Sequence, residues 1–197
     1  MRVTSGSARG TVLHAPRTGM RPTMDRVKEA IFSSLQDVIP DARILDLFAG
    51  TGGLGIEALS RGAKSAVFVE SHGPTVEVLR RNLEKTHLTG EVHTMDIFRY
   101  LDRMAPAAAF NVILADPPYA KAPGERDFSS ELLGSISLRR ALATDGIFIL
   151  EHLPTVPLPT NRAWECIRDK RYGATAVAFF RSTANRAAGT AQKTSHT

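Results

Sequence analysis

The chain has 197 residues, 43% hydrophobic and 23% charged, with one cysteine and a formal net charge of +5. This is ordinary globular usage, and it excludes wholesale disorder, collagen-like repeats, coiled coils and disulfide frameworks. At roughly 100–200 residues per domain, the length predicts one domain able to bury its own core.

Residues 1–22 read as a basic arm. Arg2, Arg9, Arg17 and Arg21 fall within it and no acid does. Val3-Thr4 and Thr11-Val12-Leu13 flank a Ser5-Gly6-Ser7 turn, the pattern of a small β-hairpin. Such a hairpin is too small to stand alone and must lean on something. The tail, residues 182–197, holds Arg186 and Lys193, also without an acid, and is polar and flexible in expectation. Between the ends the charges nearly cancel, 19 basic against 20 acidic before the His residues are counted. An excess placed wholly at the ends suits arms that meet a polyanion, here RNA contacted by the four N-terminal arginines and an arm that orders on binding.

A helix is predicted from Thr23, with Asp25 in its first turn and Val27, Ala30, Ile31, Phe32 and Leu35 on its apolar face, until Pro40. Strand and helix then alternate. Strands are expected at 44–48, 66–70, 91–94, 110–116 and 147–151, and helices at 53–61, 74–86, 97–104 and 129–143. Two last strands, near 164–172 and 175–181, are separated by Gly173-Ala174 alone and form a hairpin, so one of them runs antiparallel. The main domain is therefore expected over residues 23–181, an α/β Rossmann-like fold with a mostly parallel sheet covered by helices on both faces.

The first strand runs into Asp46-Leu47-Phe48-Ala49-Gly50-Thr51-Gly52-Gly53-Leu54-Gly55. A glycine-rich strand-to-helix turn lets a ligand approach the backbone. Glu70 follows Gly50 by 20 residues at the end of the second strand, where an acid accepts ribose hydroxyls. Gly50, Gly52 and Glu70 thus point to an adenosine-containing cofactor, either NAD or S-adenosylmethionine. Asp46 just before the glycines would repel a pyrophosphate and suits the ammonium of a methionine moiety. Asp96 is placed either to bond an adenine amino group or to cap the helix at Ile97. Phe48 lines the cofactor pocket or packs beneath it.

Asp116-Pro117-Pro118-Tyr119 follows the fourth strand, facing the same crevice. Its chemistry suits methyl transfer to the exocyclic amine of a base. That nitrogen's lone pair is delocalised into the ring. Asp116 and the Pro117 carbonyl can each accept one N–H, drawing the nitrogen toward tetrahedral geometry and aiming its lone pair at a sulfonium methyl. Tyr119 offers a face on which an extruded base stacks. The histidines show no metal-ligand spacing, so no metal site is expected.

These segments resemble the RsmD-type 16S rRNA (guanine-N2)-methyltransferases. The likeness runs from Arg2 to Phe180 and is most specific at Arg9-Gly10, at Arg21-Pro22-Thr23-Met24-Asp25-Arg26-Val27, at Leu45-Asp46-Leu47-Phe48-Ala49-Gly50-Thr51-Gly52 and at Asp116-Pro117-Pro118-Tyr119. The resemblance implies a seven-stranded class I methyltransferase fold with an antiparallel last strand and S-adenosylmethionine as methyl donor. It implies N2-methylguanine as product, in 16S rRNA of the assembled small ribosomal subunit, near the P site. It gives Thr23 and Arg26 a part in binding the methionine end of the cofactor, with Asp116 serving both cofactor and amine. The chain departs from the family at the arm, where Ser5-Gly6 replaces a Gly-Gly pair, Ala8 an aromatic and Thr11 a basic residue.

Rival readings are a DNA adenine-N6 methyltransferase, an NAD-dependent oxidoreductase and a non-catalytic ribosome assembly factor. The first lacks room for a target-recognition domain, and the second lacks a convincing hydride-transfer acid or base. No apolar run approaches the ~18 residues of a membrane span, and the N-terminus lacks the apolar core of a signal peptide. With Cys166 alone, the expectation is a cytoplasmic monomer without membrane contact.

Overall fold

The computed structural model describes residues 1–14, 22–120 and 124–183. Its elements in chain order are α1 (Pro22–Ser34), β1 (Arg43–Leu47), α2 (Gly53–Ser60), β2 (Ser65–Glu70), α3 (Gly73–Thr86), β3 (Glu91–Thr94), α4 (Ile97–Arg103), β4 (Phe110–Ala115), α5 (Phe128–Gly134), α6 (Ile136–Ala141), β5 (Leu142–His152), β6 (Trp164–Tyr172) and β7 (Thr175–Ser182). The seven strands form one sheet in the order β3-β2-β1-β4-β5-β7-β6. The first five are mutually parallel, β7 runs antiparallel to β5, and β6 antiparallel to β7. This is the expected Rossmann-like class I architecture.

Central strands buried on both faces read as near-continuous apolar runs, as in Val112–Ala115 of β4 and, but for Asp46, Ile44–Leu47 of β1. Alternate residues feed two cores. Ile44, Phe68, Val112 and Ile149 meet Val27, Ile31 and Phe32 of α1, Ile56 of α2 and Leu79 of α3 on one face. Leu45, Leu47, Ile113 and Phe148 meet Leu101 of α4, Leu132 of α5 and Leu138 of α6 on the other. Gly55 is fixed by this packing: a Cβ there would stand 2.3 Å from Phe68 Cε1. No helix among the described residues is long and apolar enough to cross a membrane.

Three expectations change. The helix read over 129–143 is two, because Ser135 stops α5 and its Oγ accepts the Leu138 N–H at 3.1 Å to cap α6. The strand read over 147–151 starts at Leu142, across a register shift opposite Phe110. The N-terminal hairpin pairs through an Arg2–Val12 bridge, with Val3 N–H donating to Thr11 O and Gly10 N–H to Val3 O, and has a wide loop where a tight Ser5-Gly6-Ser7 turn was expected. Residues 1–14 of that arm pack against α2 and the core. Val3 and Leu13 are buried, Ser7 N–H bonds Ser60 O at 2.8 Å, and Ala8 N–H bonds Ser60 Oγ at 2.9 Å.

Candidate active site

The C-terminal edge of the sheet opens into a cavity of about 970 Å³ whose wall includes Phe48, Glu70, Asp96, Asp116, Pro117, Tyr119 and Glu151. Beyond β1 the chain turns through Phe48 (φ 57°), Gly50 (φ 54°) and Gly52 (φ 88°) into α2. Left-handed backbone suits the glycines and is strained at Phe48, whose ring nonetheless lines the cavity. Gly50 N–H donates to Glu70 Oε2 at 3.0 Å, and His72 N–H to Oε1 at 2.7 Å, so Glu70 spans the glycine turn and the start of α3. A Cβ at Gly50 would meet nothing closer than Phe48 O at 3.9 Å, so the turn presents bare backbone to open space.

Asp46 sits behind this turn, 2% exposed, and its Oδ2 accepts the Gly55 N–H at 2.8 Å. It lies off the cavity wall, where the expectation placed it facing a ligand ammonium. Burial pushes its carboxyl up to about 7, against the Gly55 hydrogen bond and with repulsion from Glu70. Asp96 caps α4, one of the two roles considered for it. Its Oδ1 caps α4 through Phe98 N–H (2.9 Å) and Arg99 N–H (3.0 Å), while the residue lines the cavity and approaches Arg126 Nη1 at 3.7 Å.

Asp116 and Tyr119 meet on the opposite wall. Loss of surrounding water pushes the Asp116 carboxyl up to about 8, with the charges of Glu151 and Asp46 adding to it. Tyr119 Oη stands 3.0 Å from Glu151 Oε1 and 2.7 Å from Thr175 Oγ1, and Thr175 Oγ1 lies 2.8 Å from the same Glu151 oxygen. The triangle fixes the direction of the Tyr119 ring.

Sequence reasoning missed Glu151, Thr175, Arg126 and Phe128. Arg126 lies over the Phe98 and Phe128 rings at 4.9 and 4.6 Å and is gripped by both Glu131 oxygens at 2.8 Å. Phe128 meets Phe48 edge-on at 5.0 Å. These groups build an aromatic wall beside Asp96. A Phe following an Asp cap was the available signal at 127–128, but the segment reads as the end of a loop.

Other expected residues lie elsewhere. Arg26 is exposed on α1 and off the cavity wall, which its neighbour Val27 does reach. Arg2 and Arg9 are exposed on the arm, and Arg9 belongs to the loop that docks at Ser60, the end of α2 away from the glycine turn. Arg17, Arg21 and the Thr23 side chain lie outside the described residues, as does the tail from 184 onward.

The family described as "Conserved hypothetical protein 95" matches residues 1–181. The chain is 39% identical over 186 residues to "Putative rRNA methyltransferase YlbH" of Bacillus subtilis, covering 92% of this chain and 98% of that one. It is 32% identical over 190 residues to "Ribosomal RNA small subunit methyltransferase D" of Escherichia coli, covering 93% and 91%. The solved structure of "Putative methyltransferase yhhF from Escherichia coli" superposes with a TM-score of 0.79 at 29% identity, over 93% and 98% of the two chains. On these matches, and on the fold that carries them, the chain belongs to the RsmD-type family of ribosomal RNA methyltransferases.

Proposed function

We propose that the protein transfers a methyl group from S-adenosylmethionine to the exocyclic N2 amine of a guanine in 16S rRNA, acting as a monomer on the assembled small ribosomal subunit. The observation that carries the reading is the convergence of Asp116, Pro117 and the fixed Tyr119 ring on one cavity with Phe48 and with Glu70, which is bonded to the glycine turn through Gly50 N–H. The residues present fit the cofactor. Gly50 leaves room in front of bare backbone, Glu70 and Asp96 stand where ribose hydroxyls and an adenine amine would need acceptors, and Asp46 adds negative charge behind the turn. The sheet order also differs from the 3-2-1-4-5-6 order of dinucleotide-binding folds, which leaves the oxidoreductase reading without support.

When bound, S-adenosylmethionine supplies an electrophilic methyl group on a sulfonium. Asp116 and the Pro117 carbonyl hold the two N–H groups of the amine, so the lone pair leaves the ring plane and points at that carbon. Tyr119 holds the base by stacking. The nitrogen becomes acidic once alkylated, and a carboxylate at Asp116 can take the proton it sheds.

The test is labelled methyl transfer to small subunits lacking their modifications, with naked 16S RNA and duplex DNA alongside, and mass identification of the nucleoside product. N2-methylguanosine from subunits is expected, and N6-methyladenine in DNA would overturn the reading. Asp116→Ala is expected to lower the rate by about 10²–10³-fold while leaving the Kd for S-adenosylmethionine within a few fold. Loss of cofactor binding together with activity would make Asp116 a cofactor ligand instead.

A further inference from the structure

Asp116 and Glu151 present two carboxylates to one cavity, and the methyl-transfer chemistry uses only the first. Glu151 lies near the end of β5, the strand beside β4, so it flanks the loop that Asp116 begins. Its Oε1 is tied down by Tyr119 and Thr175 in the triangle described above. Both of these bonds go to the same oxygen. Because Oε1 is held at the hydroxyl of Tyr119, the carboxylate stands at the rim of the ring on which the base would stack. An acceptor-only group is therefore aimed at the edge of that base.

The chemistry of the bases then discriminates. Guanine is the only amine-bearing base with a ring N–H next to its amine, since N1–H adjoins the C2 amine. Adenine and cytosine flank their amines with unprotonated ring nitrogens, whose lone pairs a carboxylate repels. A base whose amine lies at Asp116 brings its neighbouring ring nitrogen one hydrogen bond to the side, toward Glu151.

We propose that Glu151 is the specificity-determining residue of this site, accepting the N1–H of the target guanine while Asp116 and Pro117 hold its N2 amine. The inference rests on the guanine-N2 reading above and deepens it. Glu151 has no part in the bond changes. It selects the base and orders Tyr119, and a site built to bond a substrate N–H rejects an analogue that lacks it.

The experiment uses small subunits reconstituted with 16S RNA in which the methylated guanine is retained or replaced by 2-aminopurine. That analogue keeps the C2 amine and loses the N1 proton. The wild-type enzyme is expected to favour guanine by about 100-fold in kcat/KM. Glu151→Gln keeps an oxygen for Tyr119 and Thr175 and offers an N–H to the bare N1 of 2-aminopurine. Its preference is expected to fall below about tenfold or to invert, with the Kd for S-adenosylmethionine unchanged. Glu151→Ala is expected to lose guanine activity without gaining activity on the analogue. A preference in Glu151→Gln equal to that of the wild type overturns the proposal. Wild-type enzyme that methylates the C2 amine of neither base overturns the guanine-N2 reading itself, a result separable from an unchanged preference.

Discussion

Asp46, buried behind the glycine turn, and Asp116, on the cavity wall, both carry an electrostatic cost, with carboxyls pushed up to about 7 and about 8. Both take up protons in the folded state that they would shed in the unfolded chain near pH 4. The stability they cost is therefore absent below that pH, grows as pH rises from there, and is complete above the folded values. A cationic ligand reverses the balance, because it favours both carboxylates in their charged form. Binding of S-adenosylmethionine is thus expected to release protons and to tighten as pH rises from 6 to 8.5. S-adenosylhomocysteine has the same ammonium but a neutral sulfur, so its affinity should climb less steeply. Isothermal titration of both ligands across that range, in two buffers of different ionisation enthalpy, measures slope and proton release together. Equal slopes for the two ligands would mean that the sulfonium does not sense Asp116.

At the scale of elements, the arm, α1 and α2 are joined by one buried acid. Glu57 is fully buried in α2 and takes hydrogen bonds from Thr4 N–H (2.9 Å), Thr4 Oγ1 (2.7 Å), Ser5 N–H (3.1 Å) and Arg61 Nε (2.8 Å), with Lys28 Nζ of α1 at 3.1 Å. Burial alone would raise its carboxyl, but the Thr4 bonds, the Lys28 charge and the Arg61 hydrogen bond hold it below the usual glutamate value. Its contribution is present above the ordinary glutamate pKa and is lost as pH falls through the lower folded value. Glu57→Ala leaves the 2%-exposed Lys28 with only Asp25, at 4.0 Å, as its ion-pair partner, and breaking a buried pair costs up to about 3–5 kcal/mol. The expected outcome is a lower unfolding midpoint in urea and protease cleavage within residues 1–14 under native conditions. A variant whose arm stays protected would show that Asn82, which bonds His14 N–H at 2.7 Å and Thr51 O at 2.9 Å, and the Ser60 contacts hold it without Glu57.

None of this bracing was legible in the sequence, because Thr4 and Glu57 are 53 residues apart and no periodicity relates them. The same holds for Tyr119, Glu151 and Thr175, joined from three elements 24 to 56 residues apart. What the sequence does expose is local. Apolar runs mark β1 and β4, the glycine spacing marks the turn into α2, and the position of Asp116 after an apolar run puts it at the sheet edge. Where two local signals compete, the reading slips: Ser135 fits a continuous helical pattern as well as it fits a cap.

Across the whole molecule, charge is arranged against its polyanionic substrate in an uneven way. The cavity wall holds Glu70, Asp96, Asp116, Glu125 and Glu151, and its Arg126 is already paired with Glu131. A base can enter such a cavity, but the phosphates on either side of it must be held at the rim. The β6–β7 turn is expected to supply that rim. Ala174 and Thr175 line the cavity, and just before them Lys170 and Arg171 are exposed, Lys170 lying 5.5 Å over the Tyr172 ring and Arg171 bonding Gly173 O at 2.9 Å. Arg9, on the loop docked at the far end of α2, is more remote from the entering strand. For each phosphate that a cation no longer neutralises, the slope of log affinity against log salt falls by about 0.7–0.9. Lys170→Glu with Arg171→Glu is expected to lower that slope by about 1–2 and to raise KM for small subunits, with the Kd for S-adenosylmethionine unchanged. Arg9→Ala should change the slope by less than about 1. Filter binding of both variants between low and moderate salt gives the two slopes directly. The opposite ranking would run the RNA along the arm and α2, and would require the target loop to reach the cavity from the glycine-turn side.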